Sequence, residues 1–127
     1  MRRQRTGFTL IELVMVIVIL AILAVTAIPK YFDMQNQAKT SAELGVVGGV
    51  RAGVHTSYGN SCSTGTCAYP VSLDGAANGA CTAANPCFGT VMAQAINDSS
   101  WTKASATTWT GPAGTTYTYT AAAGTFQ

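Results

Sequence analysis

Glu12 is the residue in this sequence with the most chemistry to explain, because it lies inside a run of apolar residues. An acidic side chain deep in a membrane costs about 2.5–3.5 kcal/mol on insertion scales, and such residues are usually paired and functional. A positive partner arises if the chain is cut between Gly7 and Phe8, since Phe8 then gains a free amine. That amine can neutralise Glu12 of a neighbouring copy. One polar group in a greasy seam fixes axial register between subunits, so these residues predict self-assembly. The plainer alternative places Glu12 near the helix end, reaching for the headgroups. It does not explain a carboxylate, because Gln would be cheaper there.

The other reactive residues point to structure more than to catalysis. Cys62 and Cys67 have four residues between them, and Cys81 and Cys87 have five. Zinc sites more often use two to four intervening residues per pair, commonly with His. The topology argued below places this region outside the cytoplasm, where disulfides form. Two disulfides are therefore expected and no metal. Three pairings are possible; local pairing, Cys62–Cys67 and Cys81–Cys87, is favoured because short loops close easily. His55 is the only histidine and has no second histidine or cysteine near it in sequence. Asp74-Gly75 with Asn78 reads as a turn, too few oxygen ligands for calcium. No nucleophile–base arrangement and no phosphate loop occurs. The chain reads as no enzyme, with no cofactor.

Composition limits the elements that must hold these residues. The chain of 127 residues is the scale of one domain. It is 48% apolar and only 9% charged, against about 25% charged in a typical soluble domain. Disorder is excluded. Arg2, Arg3 and Arg5 supply three of the seven basic residues. Without them four basic side chains face five acidic ones, so no basic patch remains for nucleic acid.

The run from Phe8 to Ile28 is 21 residues long. As an α-helix it would span roughly 31 Å, matching a hydrocarbon core of about 30 Å. It is apolar on every face and too long for a strand. Basic residues before it place the N-terminus in the cytoplasm. A removed secretory signal would have a shorter apolar region and a cleavage site after it. Here Pro29-Lys30-Tyr31 follows, and the cleavable position, Gly7-Phe8, lies in front. Cutting there removes a leader, residues 1–7, and keeps the helix.

Gly7-Phe8-Thr9-Leu10-Ile11-Glu12-Leu13-Val14, after a short basic leader and before the apolar run, resembles the type III signal of type IV pilins and pseudopilins. The likeness extends less strictly through Ala27-Ile28-Pro29-Lys30-Tyr31-Phe32, and covers about a quarter of the chain. The stretch through Ala38-Lys39 is most similar to the mannose-sensitive haemagglutinin class. The resemblance implies cleavage between Gly7 and Phe8 by a membrane-embedded prepilin peptidase, which also methylates the Phe8 amine. It assigns Glu12 to pairing with that amine during assembly, and Pro29 to the family's helix bend. Proline fits that role because it removes a hydrogen bond and clashes with the carbonyl four residues back.

The resemblance also implies an α+β, pilin-like fold, in which a long, partly transmembrane helix packs on a small antiparallel sheet. The partners it implies are copies of the chain, the peptidase and inner-membrane assembly platform proteins. The precursor would sit in the inner membrane and the product in an extracellular pilus or periplasmic pseudopilus. Its role would be adhesion or motility. The alternatives are a pseudopilin of a type II secretion system and a membrane-anchored binding module that never polymerises.

The remaining elements follow from pattern. Residues 8–28 form the membrane or filament-core half of the helix, and 29–57 its amphipathic half, with Tyr31, Met34, Gln35, Ala38, Ala42, Val46, Val50 and Val54 at spacings of three and four. Gly45, Gly48, Gly49 and Gly53 lie inside that half and suggest close backbone packing. Tyr58-Gly59-Asn60-Ser61 is expected to break the helix, opening a head over 58–127. Residues 59–87 read as loops, Phe88–Ile96 as one short helix and Asn97–Ser100 as a turn. A hairpin is expected around 105–121, where Thr116-Tyr117-Thr118-Tyr119-Thr120 alternates, with Phe126 in a last short strand. Trp101, Trp109, Tyr117 and Tyr119 read as core, with a sugar-stacking site as the alternative.

Overall fold

The computed structural model describes residues 7–127. The leader arginines Arg2, Arg3 and Arg5 lie outside the described residues. One helix, α1, runs Leu10–Ser63, and five strands follow: β1 Gly79–Cys87, β2 Ile96–Ser105, β3 Thr108–Thr110, β4 Thr116–Thr120 and β5 Thr125–Phe126. The strands pair antiparallel in chain order, β1-β2-β3-β4-β5. The fold is α+β. The chain divides into two compact units, one ending at Gln37 and one spanning Ala38–Gln127.

In the first unit the large apolar side chains from Phe8 to Met34 are exposed. Helical hydrogen bonding needs no packing partner here because Leu, Met and Ala favour a helix. The Val- and Ile-rich stretch is weaker in propensity and is exposed along its length.

The second unit has a conventional core. Helix residues Val47, Val50 and Val54 meet Leu73, Cys81, Cys87, Phe88, Trp101, Trp109, Tyr117, Tyr119 and Phe126. Phe88 sits at the centre, with ring centroids 5.4 Å from Trp101, 5.3 Å from Trp109 and 5.6 Å from Phe126. Along β4 the tyrosines point in and the threonines out, the period-two pattern of a half-buried strand. Trp109 faces Tyr117 across β3–β4, and Tyr119 faces Phe126 across β4–β5. The hairpin and the last short strand are thus as the alternation implies. The four aromatics Trp101, Trp109, Tyr117 and Tyr119 are core, which leaves no exposed stacking site among them.

The structure corrects the reading of residues 58–100. The helix does not break at Tyr58-Gly59-Asn60-Ser61 but continues to Ser63. Contacts there outweigh the weak propensity of Gly, Asn and Ser. Tyr58 stacks on Tyr69 at 4.4 Å, and Ser61 Oγ bonds both the Tyr58 and the Ala68 carbonyls at 2.8 Å. Gly79–Cys87 is a strand rather than loop, with irregular register against β2.

Phe88–Ile96 is not a helix. Phe88 has φ 61° and donates its N–H to Asp74 Oδ2 at 3.0 Å, so the segment makes one turn and no more. Asn97–Ser100 lies inside β2. Its turn chemistry is real but produces a bulge. Ser99 has φ 63°, Asp98 accepts the Ser100 N–H at 3.0 Å, and the register slips between Thr82↔Asp98 and Ala80↔Thr102. The inward helical stripe is Glu43, Val47, Val50 and Val54. Of the expected stripe, Tyr31 and Met34 are exposed and Val46 is only partly buried.

Candidate functional site

The N-terminal segment is built by a helix cap. Gly7, Phe8 and Thr9 precede the helix, which begins at Leu10. Thr9 is the N-cap residue and Glu12 stands three positions on, the spacing of a capping box. Glu12 Oε2 accepts the Thr9 N–H at 2.9 Å and the Thr9 hydroxyl at 2.8 Å, and the Glu12 N–H donates to Thr9 Oγ1 at 3.3 Å. Glu12 therefore satisfies the helix start of its own chain, a role the sequence reading did not give it. The signal was present: Thr9-x-x-Glu12 before an apolar run.

The cap has a second effect. It fixes the helix start beyond the Gly7–Phe8 bond, so that bond lies in non-helical backbone. Gly7 has open space where a Cβ would sit, and Phe8 is 91% exposed. Phe8 carries a peptide nitrogen in this uncut chain and no free amine. Pro29 lies within α1, and without an N–H it leaves the Val25 carbonyl without its usual helical partner.

Around this segment the chemistry is uniform. From Phe8 to Pro29, Glu12 is the one ionisable side chain. The helix is long and apolar enough to cross a membrane.

The four cysteines form Cys62–Cys67 and Cys81–Cys87. The first closes a loop at the end of α1. The second ties the two ends of β1 and is buried. His55 packs edge-on against Tyr69, with centroids 6.1 Å apart. Among the described residues no group of three His, Cys, Asp or Glu side chains is placed to hold a metal.

Two polar clusters were missed from sequence. Glu43 comes from the inward stripe of α1 and is buried. It accepts the Ala113 N–H at 2.7 Å and the Tyr117 hydroxyl at 2.8 Å, joining the helix to the β3–β4 turn. Burial pushes its carboxyl up, but hydrogen bonds from Thr115, Ala113 and Tyr117 outweigh burial and hold it below its usual value. Burial, then Glu43 itself, pushes the Tyr117 hydroxyl up.

Asp74 is the second centre. It forms an ion pair with Lys103 and accepts the Phe88 N–H at 3.0 Å and the Trp109 Nε1–H at 3.1 Å. Asp74 is thus the shared acceptor for β2, β3 and the turn that follows β1. A clue was available: Lys103 shares the inward face of β2 with Trp101, and a buried lysine demands a carboxylate.

Fold and site together define a chain with an apolar, membrane-capable front helix, capped by Thr9 and Glu12, and an α+β, disulfide-bonded head. Residues 2–28 match the family model described as the prokaryotic N-terminal methylation motif. The chain carries the type IV prepilin signature. The head lies outside that match. No curated protein and no solved structure matches the chain.

Proposed function

We propose that this chain is the precursor of a structural subunit of a type IV pilus or pilus-like filament. Prepilin peptidase cuts it between Gly7 and Phe8 and methylates Phe8. The mature chains then polymerise through residues 8–28, and the filament serves adhesion or motility. The carrying observation is the uncovered helix: its large apolar side chains from Phe8 to Met34 are exposed, with Glu12 the lone carboxylate before Pro29. Exposed apolar surface on this scale marks a membrane or protein interface. Lipid covers it in the precursor and neighbouring helices cover it in the filament.

Within that reading Glu12 sets register by meeting the Phe8 amine of another copy. Pro29 is the point at which the helix yields, since the Val25 carbonyl there lacks a helical donor. The two disulfides suit an oxidising compartment beyond the inner membrane.

The test is the intact mass of the protein in filaments sheared from cells. Loss of residues 1–7, gain of one methyl and loss of four hydrogens for two disulfides would support the reading, with any further mass change in the head counted separately. The same mass confined to the membrane fraction would point to the secretion pseudopilin. An uncut chain would refute the assembly role of Phe8 and Glu12. Glu12→Gln should still insert and be cut, yet lose filaments. A filament yield unchanged in that variant would refute the register role of Glu12; absence of filaments from the wild type as well would leave the anchored, non-polymerising module as the better reading.

A further inference from the structure

We infer that Asp74 and Lys103 are the site of an intramolecular amide crosslink, formed by condensation of the two side chains within the folded head. This stands apart from the assembly reading and holds whatever the chain builds.

The pair is almost sealed from water: the two side chains are 1% and 5% exposed. Lys103 Nζ is in direct contact with Asp74 Oδ1, so nucleophile and carboxyl are already together. Nζ also donates to the Ala76 carbonyl at 2.8 Å and lies 5.4 Å from the centre of the Trp109 ring. These contacts hold the amine over one side of the carboxyl group.

The other carboxyl oxygen is held separately. Oδ2 accepts two N–H groups, from Phe88 at 3.0 Å and from Trp109 Nε1 at 3.1 Å. Two convergent donors on the oxygen that does not leave form the arrangement that stabilises a tetrahedral oxyanion. The Phe88 donor is aimed there by a backbone at φ 61°, a conformation a bulky residue adopts only when its surroundings impose it.

The reaction balances without a co-reactant. In the first step one proton passes from Nζ to Oδ1 across their hydrogen bond, giving the amine nucleophile and the carboxylic acid. The amine attacks Asp74 Cγ, forming the Nζ–Cγ bond while negative charge gathers on Oδ2. A second proton passes from Nζ to Oδ1, the Cγ–Oδ1 bond breaks, and Oδ1 leaves as water. The amide keeps one N–H, which the Ala76 carbonyl accepts. Proximity of the reacting groups supplies the rate, and removal of two buried charges supplies the drive. The product would tie the loop before β1 to the C-terminal end of β2.

Mass spectrometry of the wild-type full chain tests this without any variant. The expected intact mass is one water below that calculated with both disulfides formed. After reduction, trypsin should fail to cut behind Lys103, so the peptide Ala104–Gln127 is absent and Ala52–Gln127 appears, short of one water. Full mass with free release of Ala104–Gln127 overturns the proposal. Loss of water together with release of Ala104–Gln127 also overturns it, since a succinimide at Asp74-Gly75 gives that pattern. Lys103→Arg keeps the cation but should restore the water; a persisting deficit would place the dehydration elsewhere and refute the assignment.

Discussion

Replacing Glu43 by Ala should unfold the head well before the wild type, and the structure sets the size. The substitution removes the acceptor for the Ala113 N–H and the buried Tyr117 hydroxyl. Hydrogen bonds to a charged group are worth about 1.5–3 kcal/mol each, and a stranded buried donor costs about 1–3 kcal/mol. The two bonds share one carboxylate, so their losses overlap. A total of about 3–4 kcal/mol is expected. Trp101 and Trp109 lie in the same core, so their fluorescence reports unfolding of the head directly. Denaturant titration of the full chain in detergent should show a lower midpoint with unchanged slope, the mark of lost stability alone.

The acid dependence is an independent check. Hydrogen bonding holds the folded Glu43 carboxyl below its ordinary value of 4.5. Its contribution is then complete above that value and is lost as pH falls through the lower, folded one. Glu43→Gln should be less stable than wild type at neutral pH, and the gap should narrow in acid. A cost for Glu43→Ala below about 1 kcal/mol would put Glu43 in the range of an ordinary exposed group and refute the reasoning. So would a gap between wild type and Glu43→Gln that is flat with pH.

Gly53→Ala should destabilise the head by about 1–3 kcal/mol through overpacking, because its Cβ would overlap the Val91 carbonyl group; thermal melts of the two chains decide it. Asp74→Ala strands Lys103, the Phe88 N–H and the Trp109 indole together and removes the inferred crosslink with them, so it should cost at least about 3 kcal/mol by the same denaturant assay, the low end for breaking a buried ion pair. Replacing Cys81 and Cys87 by Ser should cost about 2 kcal/mol, the chain-entropy value for so short a loop; wild type under reductant, which also opens Cys62–Cys67, should lose at least as much.

The front of the chain was legible because its signals are local. Length, apolarity and the Gly7–Glu12 order need no knowledge of the rest of the molecule, and neither does the alternation of Thr116–Thr120. The middle was misread where local chemistry was right but its setting was not. Asn97–Ser100 does carry turn chemistry, yet the bulge it makes is absorbed within β2, where Ile96 on one side and Thr102 on the other keep the pairing. Phe88–Ile96 has helical composition, but the Phe88 N–H is taken by Asp74, fourteen positions away. The polar residues that join the elements were not legible at all. Glu43 meets Tyr117, 74 positions on, and Asp74 meets Lys103, 29 positions on. No window of sequence holds both partners. Only the inward position of Lys103 gave a hint.

In the proposed filament Glu12 would join a local motif and an intersubunit contact in one side chain. Capping its own helix and pairing with a neighbour's amine would compete if both needed the same oxygen. Both bonds from Thr9 go to Oε2, and a carboxylate has about four acceptor positions over its two oxygens. Oε1 is therefore available to the Phe8 amine that the proposed cleavage creates. Before the cut, the cap partly offsets the cost of a charge at the membrane edge by supplying two donors from the same chain. After the cut, a cation arises one residue before the cap, and the carboxylate gains a partner without giving one up. Thr9→Val tests this division of labour. It removes the hydroxyl donor but keeps the backbone one, so the variant should assemble, with a helix start weakened by about 1 kcal/mol. Glu12→Gln keeps a neutral acceptor for Thr9 but loses the charge, so it should insert and fail to assemble. If Thr9→Val abolished filaments as fully as Glu12→Gln, the cap and the register contact would be one function and not two.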